Sequence, residues 1–332
     1  MRVLWLIPNK PENISGGRDR IASHLSDRGI EVDQRQTTLR TALRVLVNAH
    51  QYDCIVGTTR AGAIVGLIAS IVHNVSFVVD HVDPISQFEK TATQLLATPV
   101  RILENVAFSV ADHVLYVYPE EEPRIRQRTD QLTETELGLE FEKFSSVSTQ
   151  AVTDVRNSLE EKADKGENIA IYVGGLEPIY NIKTILDGIK LLDDWTLVVL
   201  GTGSLSSLVE TASETREDVV YLGTVPYDDV PAYLHAADVG VSLVDDQHTL
   251  KILEYGAAGL PVVQHTGVAE VRFGELVEYS LPDPTHLADS ISKAVERDKT
   301  GELQSFVERF DWGMIADDYE QAIVSSVTDF ST

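Results

Sequence analysis

Short apolar runs recur from one end of the chain to the other, and stretches with helical spacing separate them. The first half offers VLWLI (3 to 7), CIVG (54 to 57), SFVVD (76 to 80) and HVLYVY (113 to 118). The second half offers IAIYVGG (169 to 175), TLVVLG (196 to 201), VVYLG (219 to 223), DVGVSLV (238 to 244), PVVQH (261 to 265) and LVEYSL (276 to 281). Unbroken apolar strands are those of a parallel sheet covered on both faces, and the helical stretches between them are the crossovers such a sheet requires. The expected class is therefore α/β.

At 332 residues the chain is too long for a single small core and suits two domains. A polar, charged segment from 145 to 168 separates the two series of strands. The expected division is a first Rossmann-like domain over 1–155, a second over 165–312, and a closing helix over 313–332 that packs back toward the first. Two such domains facing each other would form a central cleft at the carboxyl ends of their strands, where open parallel sheets bind ligands. One stretch, Ala61 to Val79, approaches the length of a membrane span. His73, Asn74 and Ser76 interrupt it, so the pattern reads as a helix, a polar turn and a buried strand, with Gly62 and Gly66 packing closely under the sheet.

Charge narrows the partners. The 52 acidic residues outnumber the 27 basic ones, for a formal net charge of −25, which makes nucleic acid a poor partner. Self-repulsion of this size weakens a compact fold in dilute buffer, and molar salt, with a screening length of about 3 Å, relieves it. A salt-rich, halophilic cytoplasm is expected, with a merely acidic mesophilic protein as the alternative reading. Cys54 is the single cysteine, so no intramolecular disulfide can form, a reducing compartment fits and core filling is its expected role. The opening MRVLWLIPNK lacks a small-residue cleavage site and reads as a first strand, not a signal peptide.

The stretch DDQHTLKILEYGAAGLPVV, Asp245 to Val263, concentrates the chemistry. A helix should start near Thr249 as a cap and end at Ala258, with Gly259 as left-handed terminator and Pro261 preventing continuation. Lys251 and Glu254 then share one side, and Leu250, Leu253 and Ala257 face the core. The amino end of such a helix suits a diphosphate. Lys251 in the first turn opposes the helix dipole, which a nearby anionic ligand would make tolerable. Glu254 cannot serve a phosphate, but its carboxylate can accept hydrogen bonds from sugar hydroxyls such as a ribose diol. Asp246, eight positions earlier, completes an acidic pair. A solvated surface acid is the alternative reading for each.

The acid, seven residues, Glu254 and the small-residue run EYGAAGLPVV together resemble the signature of the family 4 retaining glycosyltransferases of the GT-B fold (glycosyl transferases group 1). Other segments are similar to the family's landmarks in the same order: SGGRDRIASHLSDRGIEV (15 to 32), ENVAFSVADHVLYV (104 to 117), LGLEFEKF (137 to 144), LVVLGTGSL (197 to 205), VVYLGTVPYDDVPAYLHAADVGVSLV (219 to 244) and FDWGMIADDYEQAI (310 to 323). Leu137 stands where the family usually has asparagine.

The resemblance implies two Rossmann-like domains and transfer of a sugar from a nucleotide-diphosphate sugar to an acceptor hydroxyl, with the anomeric configuration kept. It implies Glu254 at the ribose, Asp246 at the donor sugar hydroxyls, His81 beside the reacting sugar and Lys251 at the diphosphate. A buried turn histidine is the alternative for His81. Gly16 and Gly17 would let backbone approach the diphosphate. Gly175, Gly203 in the glycine turn, Thr224 and Val225 in the base-wrapping segment, and Thr249 and Leu250 at the helix start complete the implied donor set. Gly175 replaces the family's usual clamp arginine and Tyr180 lies near its usual lysine. Lys251 is the better substitute cation, because Lys183 should face solvent from the following helix.

Negative charge grows on the leaving diphosphate, where Lys251 and loop amides would act. The scheme implies no cofactor and no metal. The pairs Asp193/Asp194, Asp228/Asp229 and Asp317/Asp318 have no credible ligand set and read as solvated surface. Rival readings are fewer. GTGSLSSL (201 to 208) lacks the third glycine and ribose acid of a dinucleotide loop. A nucleotide-sugar isomerase fits the segments less well, and a non-catalytic sugar-nucleotide or glycan-binding relative with a decayed clamp is the rival from another class. The acceptor, a glycan or lipid-linked glycan, is not specified. The helix TLRTALRVLVNAHQY (38 to 52) sets basic residues beside apolar ones, compatible with a peripheral contact at the inner face of the cell membrane, though a helix packed on a sheet gives the same pattern.

Overall fold

The computed structural model describes residues 1–8, 13–85, 88, 94–162, 167–297 and 299–330. Contacts divide the chain into two units, one of residues 1–138 and 312–332, the other of residues 139–311. The polar segment 145–168 therefore belongs to the second unit, where its helix Thr149–Glu160 packs on the helix Val230–His235.

The first unit is a six-stranded parallel sheet, order β2-β1-β3-β4-β5-β6. Its strands are β1 Arg2–Ile7, β2 Glu31–Gln36, β3 Cys54–Thr58, β4 Ser76–His81, β5 His113–Tyr116 and β6 Leu132–Glu134. The central strands are the expected apolar runs. The two edge strands are not, because an edge covered on one side needs no apolar run: β2 reads EVDQRQ and has no fully buried residue. The helix Thr59–His73 ends at Asn74 in the left-handed region, before β4. Its glycines are packing positions. A Cβ at Gly66 would stand 2.4 Å from the Phe77 ring, and one at Gly62 2.8 Å from the Leu6 carbonyl oxygen. Among the described residues, no helix is long and apolar enough to cross a membrane.

One face of this sheet is covered by the helices Asn13–Asp27 and Trp312–Phe330, with Trp5, Ile21, Leu25, Trp312, Tyr319 and Ile323 in the shared core. Trp5 stacks on Tyr319, ring centroids 5.3 Å apart. The other face carries the helices Leu39–Asn48, Thr59–His73 and Gln94–Val110 over Leu4, Ile55, Phe77 and Val79.

The second unit repeats the architecture with strand order β12-β11-β10-β7-β8-β9. The strands are β7 Asn168–Val173, β8 Trp195–Leu200, β9 Val219–Gly223, β10 Val239–Ser242, β11 Val262–His265 and β12 Glu278–Ser280; each coincides with an expected apolar run, β7 and β8 starting one residue before it. Both sheet faces are buried. The two ends of the unit are clasped together. The Leu139 amide donates to the Phe310 carbonyl (2.9 Å), and the Phe141 amide to the Asp311 carboxylate (3.0 Å). From β7 the order runs outward one way through β8 and β9 and the other way through β10, β11 and β12. The strand order thus reverses between β7 and β10, and a parallel sheet opens a crevice at the carboxyl ends of such a pair.

Candidate functional site

The crevice of the second unit is bordered by the segments leaving β7 and β10. After β7 come Gly174 and Gly175. After β10 come Asp245, Asp246 and the helix Leu250–Ala257. This helix ends as the sequence requires: Gly259 takes φ 69°, its amide donates to the Gly256 carbonyl, and the Leu260 amide reaches the Tyr255 carbonyl. That pair of bonds satisfies carbonyls the helix would otherwise leave open. Thr249 occupies the cap position, buried, but its side chain makes no cap hydrogen bond.

Tyr255 fixes the helix to the sheet. Its ring fills the space left by Gly240, where a Cβ would stand 2.4 Å away, and its hydroxyl accepts from the Val173 amide at 2.9 Å. Lys251 and Glu254 are thereby held beside the end of β7. Leu250 corrects the expectation of a core-facing leucine: it is 42% exposed, while Leu253 and Ala257 are buried. The buried stripe takes in Ile252, Leu253, Tyr255, Gly256 and Ala257, and Leu250 stands at its edge in the first turn of the helix.

Glycine geometry makes room for the lysine. Gly174 has φ 138°, a region L side chains rarely adopt, and a Cβ there would be 2.3 Å from Lys251 Cε. The lysine therefore lies across bare backbone. Its Nζ sits 4.0 Å from the Tyr180 ring centroid and 5.5 Å from that of Tyr172. The Tyr172 hydroxyl in turn donates to the Gly175 carbonyl at 2.6 Å. Burial lowers the Lys251 pKa to about 8, with the charges of Glu254 and Asp246 pulling the other way.

Gly201, φ 131°, would place a Cβ 1.9 Å from the Gly174 carbonyl oxygen, and Gly203 one 2.5 Å from that of Leu176. The loops after β7 and β8 thus run against each other, joined by the Leu176 amide to the Thr202 carbonyl at 3.0 Å. The Gly203 amide is taken by Ser206 Oγ at 2.9 Å, and the Ser204 amide by Glu177 Oε1 at 2.9 Å.

Glu254 accepts a hydrogen bond from the Tyr227 hydroxyl at 2.9 Å. Burial raises its pKa to about 7, against the lowering effects of Tyr227, Lys251 and Lys143. Lys143 lies 4.5 Å from the Tyr227 ring and pairs with Asp228. Asp246 is exposed, and its Oδ1 accepts from the His248 amide at 2.9 Å, which fixes the turn before the helix. Thr224 is exposed and Val225 packs on the core. Lys183 is exposed on the helix Ile182–Ile189.

The remaining expected residues lie in the first unit. Gly16 and Gly17 fall inside the helix Asn13–Asp27. Gly17 has a packing reason to be bare, since a Cβ would stand 2.6 Å from the Trp312 ring. The next residue, Arg18, opens a buried network that the sequence reading did not single out. Its guanidinium binds both oxygens of Asp80, at 2.9 and 2.8 Å, and Asp80 also accepts from Tyr319 (2.7 Å) and Thr58 (2.7 Å). Trp5 Nε1 completes it by donating to Thr58 at 2.7 Å.

His81 is buried with both ring nitrogens facing carboxylates, Nε2 at 3.0 Å from Glu121 and Nδ1 at 3.5 Å from Glu104. Its pKa is raised above the usual value. Burial opposes protonation, and the two glutamates outweigh it. Arg124 binds the same two glutamates, at 2.8 and 2.6 Å. The buried, hydrogen-bonded histidine is thus the arrangement found. Tyr227 and Arg18 lie inside segments quoted for the resemblance and Tyr180 stands near the usual clamp lysine, but only the packing reveals what the three touch.

Residues 167–297, most of the second unit, match the family model described as glycosyl transferases group 1. The chain carries a group 1 glycosyl transferase domain. No curated protein matches this sequence. Solved structures similar to this chain include Anabaena Alr3699/HepE in complex with UDP, 19% identical, TM-score 0.75, covering 98% of this chain and 100% of that one. Sucrose-phosphate synthase from Thermosynechococcus elongatus is 17% identical, TM-score 0.71, covering 96% and 97%. WaaG, a glycosyltransferase involved in lipopolysaccharide biosynthesis, is 14% identical, TM-score 0.65, covering 97% and 99%. The two parallel-sheet units and these neighbours give this chain the GT-B fold. Lys251, Glu254, Gly174 and Gly175 all fall within the matched segment.

Proposed function

We propose that the protein is a retaining glycosyltransferase that moves a sugar from a nucleoside-diphosphate sugar to a hydroxyl of a glycan or lipid-linked glycan. The observation that carries this reading is the half-buried Lys251 ammonium laid over the bare backbone of Gly174, three residues before Glu254. An ammonium with no carboxylate of the described residues within ion-pair distance, beside glycine turns at a strand-order reversal, suits a diphosphate. Glu254 supplies an acceptor for a ribose diol on the same helix, and Asp246 an exposed acceptor for donor sugar hydroxyls. The solved structures of HepE with UDP and with UDP-glucose support this donor class. Charge developing on the departing diphosphate would be met by Lys251 and loop amides, so the scheme uses no metal.

One observation favours a second reading, a binding relative without turnover: Tyr180 occupies the clamp region with its ring on the lysine that remains. Calorimetry with UDP, followed by assay of UDP-glucose hydrolysis and transfer in low and molar salt, separates the two. Turnover that Glu254→Ala abolishes supports the enzyme, and UDP binding with no turnover on any donor tested supports the binding relative. Failure to bind any nucleoside diphosphate refutes both.

A further inference from the structure

Tyr227 is fixed by three contacts and yet stays open to solvent. It follows β9 and precedes the helix Val230–His235. Its ring meets that of Phe144 edge-on, centroids 5.7 Å apart, and the Lys143 ammonium stands 4.5 Å from the ring centroid. Both partners come from the short helix Phe141–Ser145. Phe144 is fully buried, and Lys143 is itself anchored by Asp228 and, at 3.6 Å, by Glu140. The ring thus rests on a firm wall, and its hydroxyl is aimed at Glu254, 2.9 Å from Oε1. The residue is nevertheless 47% exposed. Core packing does not account for a tyrosine so firmly placed and so open.

The chemistry of the pair is asymmetric. A phenol has one proton to donate and lone pairs to accept with, whereas a carboxylate only accepts. Tyr227 spends its proton on Glu254 Oε1, so toward any ligand its oxygen acts as an acceptor. Glu254 Oε2 has no partner among the described residues. The carboxylate and the phenolic oxygen therefore present one continuous patch of acceptors. A vicinal diol is its complement, because it offers two donors on neighbouring carbons. A carboxylate with both oxygens free could take both hydroxyls itself. Here Oε1 already receives the phenol, and the second hydroxyl finds its acceptor on Tyr227.

We infer that Tyr227 shares the ribose with Glu254, each accepting one hydroxyl of the diol, so that the donor is a ribonucleotide sugar and 2′-deoxyribonucleotide sugars are disfavoured. This rests on the proposed role of Glu254 at the ribose, and it adds the residue that sets which pentose the site takes. A deoxyribose has one hydroxyl to offer and leaves one of the two acceptors desolvated without a donor, which costs affinity. Lys143 and Phe144 are positioning residues, since they reach the ligand only through the ring they hold.

Titration calorimetry tests this with whichever of UDP, GDP and ADP the protein binds best and with the 2′-deoxy and 3′-deoxy forms of that nucleotide. Each deoxy form should bind the parent about three- to tenfold more weakly than the ribonucleotide. Tyr227→Phe, which keeps the ring and its packing, should weaken the ribonucleotide by a similar factor. It should leave one deoxy form unchanged, because that form already lacks the hydroxyl Tyr227 accepts. A strut that merely steadied Glu254 would instead weaken all three nucleotides equally on its loss, and that result overturns the inference, as does a Tyr227→Phe protein that binds the ribonucleotide like the parent. In either case a Glu254→Ala protein with weakened binding leaves the role of Glu254 standing. If Glu254→Ala binds like the parent, or no nucleoside diphosphate binds at all, that role and the inference fall together.

Discussion

Replacing Lys251 by methionine should make the empty protein more stable and its nucleotide complex weaker. The pKa of this lysine falls from 10.5 to about 8 because burial penalises the charged form. At about 1.36 kcal/mol per unit, holding the ammonium in place at pH 7 costs about 3 kcal/mol relative to the unfolded chain. Contacts of the ammonium with the Tyr180 and Tyr172 rings return roughly 0.5–2 kcal/mol. Methionine keeps the length of the stem over Gly174 and removes the charge. The net gain should be about 1–2 kcal/mol, or a few degrees in Tm for a unit of this size. A bound diphosphate loses a charge-assisted contact worth roughly 1.5–3 kcal/mol, so UDP affinity should fall by about 10- to 150-fold. Differential scanning calorimetry and titration calorimetry on Lys251→Met and on Lys183→Ala, an exposed control, read both numbers. A Lys251→Met protein that binds UDP no more weakly than Lys183→Ala, or whose Tm is lower by several degrees, would refute this.

The same contacts set other outcomes. UDP affinity should peak between about pH 7 and 8: above 8 the Lys251 ammonium is lost and affinity should fall toward tenfold per unit, and below 7 Glu254 gains a proton and loses its acceptor role. Titration calorimetry across that range checks it, and a flat profile would contradict it. In the same sense, the folded state holds fewer protons on Lys251 than the unfolded chain between about 8 and 10.5, so this group's contribution to stability rises with pH there; Glu254, holding more between 4.5 and about 7, makes stability fall with rising pH over its own window. Urea midpoints of Lys251→Met against the parent at pH 7 and 10 should converge at the higher pH. Gly174→Ala should cost at least 1–3 kcal/mol through its φ and also weaken UDP as Lys251→Met does, because the new Cβ occupies the lysine's path; normal UDP affinity in a folded Gly174→Ala protein would show that the lysine is not needed where it lies. Arg18→Met should cost about 3–5 kcal/mol by leaving Asp80 buried without its cation, and Arg18→Met with Asp80→Leu should recover much of that in thermal unfolding.

The fold was legible where both faces of a strand are buried, because burial writes an apolar run into the sequence. All six strands of the second sheet and the four central strands of the first fall in such runs. The edge strands β2 and β6 do not, since EVDQRQ holds its place through backbone pairing and leaves no pattern in its side chains. At the candidate site, the helix Leu250–Ala257 and its glycine stop were readable from local rules. Leu250 was not, because a helix of two turns offers too few positions to locate its buried stripe. Nor could the contacts of Tyr180 and Tyr227 be read. A tyrosine in a loop looks the same whether it lies on a lysine or in water, and here only the return of a distant helix to the end of β7 decides it. The Arg18 and Asp80 pair, 62 residues apart, is a contact between a helix and a strand end that no spacing rule reports.

The chain leaves the first unit at Gly138 and returns to it at Trp312, and Tyr319 stacks on Trp5 of the first strand. During synthesis the opening sheet emerges early with one face covered only by the helix Asn13–Asp27. At ribosomal speeds of about 5–20 residues per second it waits roughly ten seconds or more for the segment that covers it. The later-made unit, contiguous in the chain, can close before the earlier one is finished. The usual amino-first order of maturation is inverted, and a nascent chain stalled before Trp312 would hold a complete second unit tethered to an unsealed first one, the state in which a chaperone would be needed most.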